Sequence, residues 1–159
     1  MGMEIERKWL VRELPAGLSA YPKRELEQAY LNFLPAIRVR HDVSFESEKY
    51  ELTYKGGGLV ARREENLPLD AESYFNLLRK HEGTVVRKTR YMVPLPETGY
   101  TAELDVFSEA LEGLLLVEVE FPSLSEAESF IAPDWFGEDV SETGLYSNAR
   151  LARLGLPKA

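Results

Sequence analysis

The sequence predicts a mainly β fold of α+β class, in which eight antiparallel strands can close into a barrel with a few peripheral helices. Three observations lead there. Charged and apolar residues alternate with period two through eight segments, glycine and proline punctuate the gaps, and the charges keep to one parity of the strands. With 159 residues, 44% of them hydrophobic, the chain suits a single domain over 1–159.

The first expected strand is Met3–Val11, followed by Glu25–Leu34, Ala36–His41 and Tyr50–Lys55. Gly56-Gly57-Gly58 then supplies a hairpin into Leu59–Leu67. Asp70 can cap a helix over 71–82, whose Tyr74, Leu77, Leu78 and His81 share a face before Gly83 ends it. Thr84–Val93 and Tyr100–Phe107 flank the breakers Pro94, Pro96 and Gly99, and Leu115–Phe121 is the eighth strand. Ser125-Glu126-Ala127-Glu128 reads as a capping box opening a short helix that Pro133 stops. A last helix runs through Asn148, Leu151, Ala152 and Leu154 to Gly155, ahead of Pro157.

Composition narrows the function. With 19 basic against 27 acidic residues the net charge is −8, which disfavours bulk nucleic acid as a partner. Cysteine is absent, so disulfides, thiolate ligands and cysteine nucleophiles drop out, as suits a reducing compartment. Charges fill the start of the chain where a signal peptide needs an apolar run, and Glu6 stands where a myristoylation signal wants Ser or Thr. The longest apolar stretch, Leu114 to Val117, is far short of a membrane span, so the expectation is a cytoplasmic protein with no membrane partner.

Residues i and i+2 of a strand project from one face. One face carries Glu4, Glu6 and Lys8; Arg38 and Arg40; Lys55, Arg62 and Glu64; Lys88 and Arg90; Glu103 and Asp105; Glu118 and Glu120. The other carries Ile5 and Trp9, Ile37 and Val39, Leu52 and Tyr54, Leu104 and Val106, and Val117 and Val119. Like charges two apart on a strand sit roughly 6.5 Å from each other and repel. An antiparallel sheet with its charged face in water is the ordinary arrangement, but such a face mixes Ser, Thr and Gln with its charges. Here all these positions are ionisable and segregated by sign. Clustered carboxylates suit a hard divalent cation, and Arg and Lys suit phosphate oxygens, so together they describe a metal-plus-polyphosphate site. Eight strands can close with that face inward around a ligand-holding interior.

Glu4-Ile5-Glu6-Arg7-Lys8 matches the E-x-E-x-K signature of the CYTH superfamily, the triphosphate tunnel metalloenzymes. The resemblance extends through Gln28-Ala29-Tyr30-Leu31, Ile37-Arg38-Val39-Arg40, Leu52-Thr53-Tyr54-Lys55-Gly56, Arg62-x-Glu64, Lys88-Thr89-Arg90, Glu103-x-Asp105 and Glu118-x-Glu120-Phe121. It reaches Trp135-Phe136-Gly137 and Tyr146-Ser147-Asn148. It implies an eight-stranded antiparallel closed β-barrel tunnel that hydrolyses inorganic tripolyphosphate or a related organic triphosphate and releases orthophosphate. It further implies Mg²⁺ or Mn²⁺ held by Glu4, Glu6, Glu118 and Glu120 with Asp105, Glu103 and Glu64 assisting. A triphosphate gripped by Arg38, Arg40, Lys55, Arg62, Lys88 and Arg90, and a Lys8–Tyr30 pair for proton handling, are implied in the same way. Asn66 departs from the family pattern, as do Thr143 and Leu145. Only three residues precede Glu4, which argues against the cyclase branch. A non-hydrolytic polyphosphate-binding protein and a thiamine triphosphatase stay open as alternatives, and so does a homodimer.

The remaining features have plainer readings. His41 and His81 are isolated and read as packed or exposed. Gly56-Gly57-Gly58 lacks the ending of a P-loop. Trp135 and Phe136 read as core, and Arg150 and Arg153 as dipole partners of the last helix, from which an arginine could also point into the tunnel.

Overall fold

The computed structural model describes residues 2–158. Nine strands form one antiparallel sheet: β1 (Gly2–Val11), β2 (Lys23–Asn32), β3 (Ala36–Ser44), β4 (Glu48–Lys55), β5 (Ala61–Leu69), β6 (Glu82–Leu95), β7 (Tyr100–Ser108), β8 (Leu115–Glu120) and β9 (Phe136–Asp139). Three α-helices accompany them, α1 (Ala71–Leu78), α2 (Leu124–Ser129) and α3 (Asn148–Leu154). The meanders β2-β3-β4-β5 and β6-β7-β8 join through β2 and β6, and β1 bridges β8 to β5, which closes an eight-stranded barrel. The ninth strand continues β1's outer edge where β5 leaves it, pairing Val11 with Phe136 and Trp9 with Asp139. Sequence pattern missed β9, because four residues are too few to show an alternation.

Register fixes the inward face. Lys8 lies opposite Glu118, Glu6 opposite Glu120, Arg90 opposite Asp105 and Glu103 opposite Glu118. Outward residues make one core: Trp9, Leu104, Val117, Val119 and Phe121 pack under Ala127 of α2 and under Phe130 and Phe136. The Trp9 ring lies 4.8 Å from Phe136 and 5.5 Å from Phe130. Beside it Arg7 donates to the carbonyls of Ala127 at 2.7 Å and Phe130 at 3.2 Å, satisfying groups that the end of α2 leaves open.

A second core lies inside the barrel at one end. Tyr30, Ala36, Val86, Phe107, Leu114 and Leu116 point inward there and meet Leu151 and Ala152 of α3, which stops that end. The close fit needs Gly83: at φ +70° it passes so near α3 that a Cβ would lie 2.5 Å from the Ala152 carbonyl oxygen. Gly83 therefore belongs to β6, and α1 ends at Leu78 rather than near 82. Asp70 caps α1 through the Ser73 amide, as expected. Helix α2 is capped by Ser123, whose hydroxyl accepts from the Glu126 amide and donates to its carboxylate, so the capping box starts two residues before Ser125.

Removing the outer anchor should be costly. Trp9→Ala is expected to lose about 3–5 kcal/mol of unfolding free energy in urea titration with an unchanged m-value.

Candidate active site

The open end of the barrel leads to a cavity of about 230 Å³ lined almost wholly by ionisable side chains. On one wall, β1 and β8 bring carboxylate oxygens of Glu4, Glu6 and Glu120 within 4.8 Å of one another. Oxygen ligands around a shared Mg²⁺-like or Ca²⁺-like centre lie up to ~4–5 Å apart, so this donor set fits a hard divalent cation. Lys55 meets Glu4 at 2.8 Å and Glu64 at 3.5 Å, while Glu6 and Glu120 form no salt bridge among the described residues. Burial and then Glu118 and Glu4 push the Glu6 carboxyl well above the usual range, against Lys55 and Lys8. Burial together with Glu103, Glu4 and Glu64 pushes Glu120 up to about 7. This acid cluster is short of positive charge.

The neighbouring wall is tied off internally. Arg90 donates to Asp105 at 2.7 and 2.9 Å and to Glu118 at 3.1 Å, and stands 3.5 Å from Glu103. Lys88 meets Asp105 at 2.7 Å and donates to Asn148 at 3.0 Å. Burial alone would raise Asp105, but Arg90 and Lys88 outweigh it and hold the carboxyl low. Glu118 is likewise held well below its usual range, burial being outweighed by Lys8, Arg90 and Lys88. These acids are therefore engaged by cations of the protein itself.

On β3, Arg38 and Arg40 reach the cavity with no carboxylate partner among the described residues. The Arg38 Nε is buried without a hydrogen-bond partner. Burial, then the charges of Arg38 and Arg90, lower the Arg40 guanidinium to about 9. Excess positive charge thus faces excess negative charge across one cavity.

Of the residues expected from sequence, Glu4, Glu6, Glu64, Glu103, Glu118, Glu120, Arg38, Arg40, Lys55 and Arg90 line this cavity. Asp105 and Lys88 lie buried beneath it. Arg62 and Lys8 face a side pocket of about 30 Å³ that shares Glu6 with the main site. Lys8 donates to the Tyr146 carbonyl at 3.0 Å and stands 3.8 Å from Glu118. Tyr30 packs in the plug with Val86 and Phe107 and stacks on Phe33 at 5.8 Å. No hydrogen bond joins Lys8 to Tyr30 among the described residues.

Sequence reading missed Arg24, Asp42, Lys49 and Glu51 at the mouth, as well as Gln28 and Asn148. Asp42 continues the charged parity of β3 one residue past its expected end, and Glu51 shares the parity of Lys55 within the expected fourth strand, so following those parities would have found both. Asn66 also lines the site, accepting from Thr53 at 2.6 Å and donating to Glu64 at 3.2 Å. The last helix sends in Asn148 rather than an arginine; Arg150 turns back to the Leu145 carbonyl. His41 stacks on Tyr50 and pairs with Glu48, away from the cavity.

A closed antiparallel barrel with this acid triad facing free guanidinium groups defines a triphosphate tunnel enzyme. No protein-family model matches the chain. It is 42% identical over 155 residues to an inorganic triphosphatase of Nitrosomonas europaea, covering 97% of this chain and 99% of that one. An inorganic triphosphatase of Acetivibrio thermocellus is 32% identical over 162 residues, with 96% and 95% covered. The crystal structure of the inorganic triphosphatase NE1496 superposes with a TM-score of 0.69 at 38% identity, covering 99% of both chains. The chain belongs to the CYTH superfamily, in the family of the inorganic triphosphatases. Among the described residues no helix is long and apolar enough to cross a membrane.

The raised acids have a consequence for stability. Glu6 and Glu120 hold protons more tightly folded than unfolded, so the stability they contribute is full below the ordinary carboxylate range. It is lost as pH rises through about 7, the value for Glu120. Glu118 and Asp105 have lowered values and act oppositely, their contribution being lost only below roughly pH 4. Metal-free protein should melt higher near pH ~5.5 than near pH ~8, and added Mg²⁺ should raise the melting temperature more at the higher pH. Calorimetric scans at both pH values check this.

Proposed function

We propose that the protein hydrolyses inorganic tripolyphosphate to pyrophosphate and orthophosphate, using Mg²⁺ or Mn²⁺ held by Glu4, Glu6 and Glu120. The observation that carries this reading is the carboxylate triad, in which only Glu4 has a protein salt bridge, to Lys55, set across one cavity from Arg38 and Arg40, which have no carboxylate partner among the described residues. A polyphosphate carrying a cation supplies both missing charges. The names of the relatives from Nitrosomonas europaea and Acetivibrio thermocellus support the same activity.

Arg38, Arg40 and Lys55 bind the phosphate chain, with Arg90 held on the wall beside them by Asp105 and Glu118. Glu4, Glu6 and Glu120 would hold the divalent cation, which when bound would supply charge neutralisation for the phosphates and a lowered pKa for a nucleophilic water. Asp105 holds Arg90 and Lys88 in place and Glu118 holds Arg90, so that these side-chain cations are oriented for the chain, and Glu64 and Glu103 add negative charge at the rim. Lys8, beside Glu118 and sharing a pocket wall with Glu6, handles the proton, while Arg62 lines that same side pocket. Tyr30 packs the floor near Arg40. Leu26 and Met92 are the apolar members of the cavity lining, which offers a nucleobase or a thiamine ring no platform. An inorganic chain is therefore the better fit than thiamine triphosphate or a cyclase substrate. The absence of cysteine supports a cytoplasmic site of action.

The test is phosphate release from tripolyphosphate, ATP, GTP and thiamine triphosphate, each with Mg²⁺, with Mn²⁺ and with chelator. Tripolyphosphate should turn over fastest, and only with metal; tight binding without release would favour a sensor instead. Glu6→Gln keeps the shape of a carboxyl already pushed toward its neutral form, so the fold should hold. Its turnover should fall at least about 100-fold. Wild-type rates in this variant would refute the cation assignment.

A further inference from the structure

Gln28 lies on β2, fully buried, with its side chain turned into the barrel toward β3. Its Oε1 accepts from both Nε and Nη2 of Arg40, at 2.8 and 2.6 Å. A carboxylate is the usual partner for such a two-pronged grip. Arg90 shows that arrangement on the next wall, where Asp105 takes its two donors. At Arg40 a single amide oxygen takes both donors without a charge, and the amide's own Nε2 is left buried with no partner. For folding alone a glutamate would serve better, since it would hold the guanidinium at least as firmly and remove the orphaned donor.

We infer that Gln28 is a positioning residue for triphosphate binding: its neutral amide oxygen fixes the Arg40 guanidinium by accepting two of its donors while leaving the full positive charge available to the phosphate chain. The inference rests on the function proposed above. Burial and the proximity of Arg38 and Arg90 already strain that uncompensated charge, which is consistent with a site whose counter-ion is the ligand.

Steady-state kinetics on tripolyphosphate with saturating Mg²⁺ test it, alongside thermal unfolding. Gln28→Leu removes the acceptor and should raise KM about tenfold; Gln28→Glu adds a competing anion and should raise KM on the order of 100-fold. In both, kcat should change far less than KM, and Gln28→Glu should melt at or above the wild-type temperature. A purely structural role predicts the reverse order, with Gln28→Glu close to wild type and Gln28→Leu impaired; that result overturns the proposal. Should Gln28→Glu fail to fold, Gln28→Leu in an Arg40→Met background decides, because no further rise in KM is expected there and an additive rise overturns the proposal. If wild-type protein neither hydrolyses nor binds tripolyphosphate, the functional reading fails and takes this inference with it. Normal wild-type kinetics with an unaltered KM in Gln28→Glu defeats the inference alone.

Discussion

Burying an ion in a protein costs several kcal/mol unless a partner meets it, and the interior of this barrel is built from ions. The cost is handled differently on its two sides. Around Asp105 the protein supplies every counter-charge: Lys88 and Arg90 both meet it at hydrogen-bonding distance, and Arg90 ties in Glu118 to form a rigid wall. Around Glu4, Glu6 and Glu120, and again around Arg38 and Arg40, it does not. The balanced wall explains how the barrel folds with charges inside. The unbalanced clusters explain what it is for, since only a ligand with both signs of charge relieves both at once.

That imbalance has to be supported by apolar packing elsewhere. Trp9, Phe121, Phe130 and Phe136 brace β1 and β8 from outside, at the strands that carry the acid triad within. Along β1 the alternation places Glu4, Glu6 and Lys8 on one face and Ile5 and Trp9 on the other, so a single strand links the outer core to the acid triad. Arg7 completes the link by holding the end of α2 and pairing with Asp139, the last residue of β9. Two-sided burial of this kind is why the inner repulsion does not splay the sheet.

Most of this was legible in the sequence because a strand's period is two, and a charge pattern with that period names its own face. The eight barrel strands, the closed tunnel and the ionic lining follow from it, and the structure places the expected face inward. The period gives no access to what depends on three-dimensional neighbours. Nothing local distinguishes Asp105, locked between two cations, from Glu120, which has none. Gln28 escaped because β2 mixes Arg24, Leu26, Gln28 and Tyr30 on its inward face, so no charged parity marks it. The four residues of β9 and the Ser123 cap were lost to shortness and to a two-residue ambiguity between Ser123 and Ser125.

The plug sets a direction on the site. Tyr30, Val86, Phe107 and Leu116 fill the barrel below the charged layer, and Leu151 and Ala152 of α3 seal it. On the function proposed above, a phosphate chain enters from the mouth, past Arg24, Asp42, Lys49 and Glu51, end first. Its terminal phosphate meets the deepest cations, while whatever is attached to the other end stays among mouth residues whose charges are already paired, Arg24 with Asp42 at 2.8 Å and Lys49 with Glu51 at 3.9 Å. Binding strength is therefore concentrated on the chain end inside the barrel, and the mouth adds little recognition of its own. A site organised in this way selects a triphosphate by its charge and its free terminus, which is the physical reason an inorganic chain, with nothing to leave outside, suits it best.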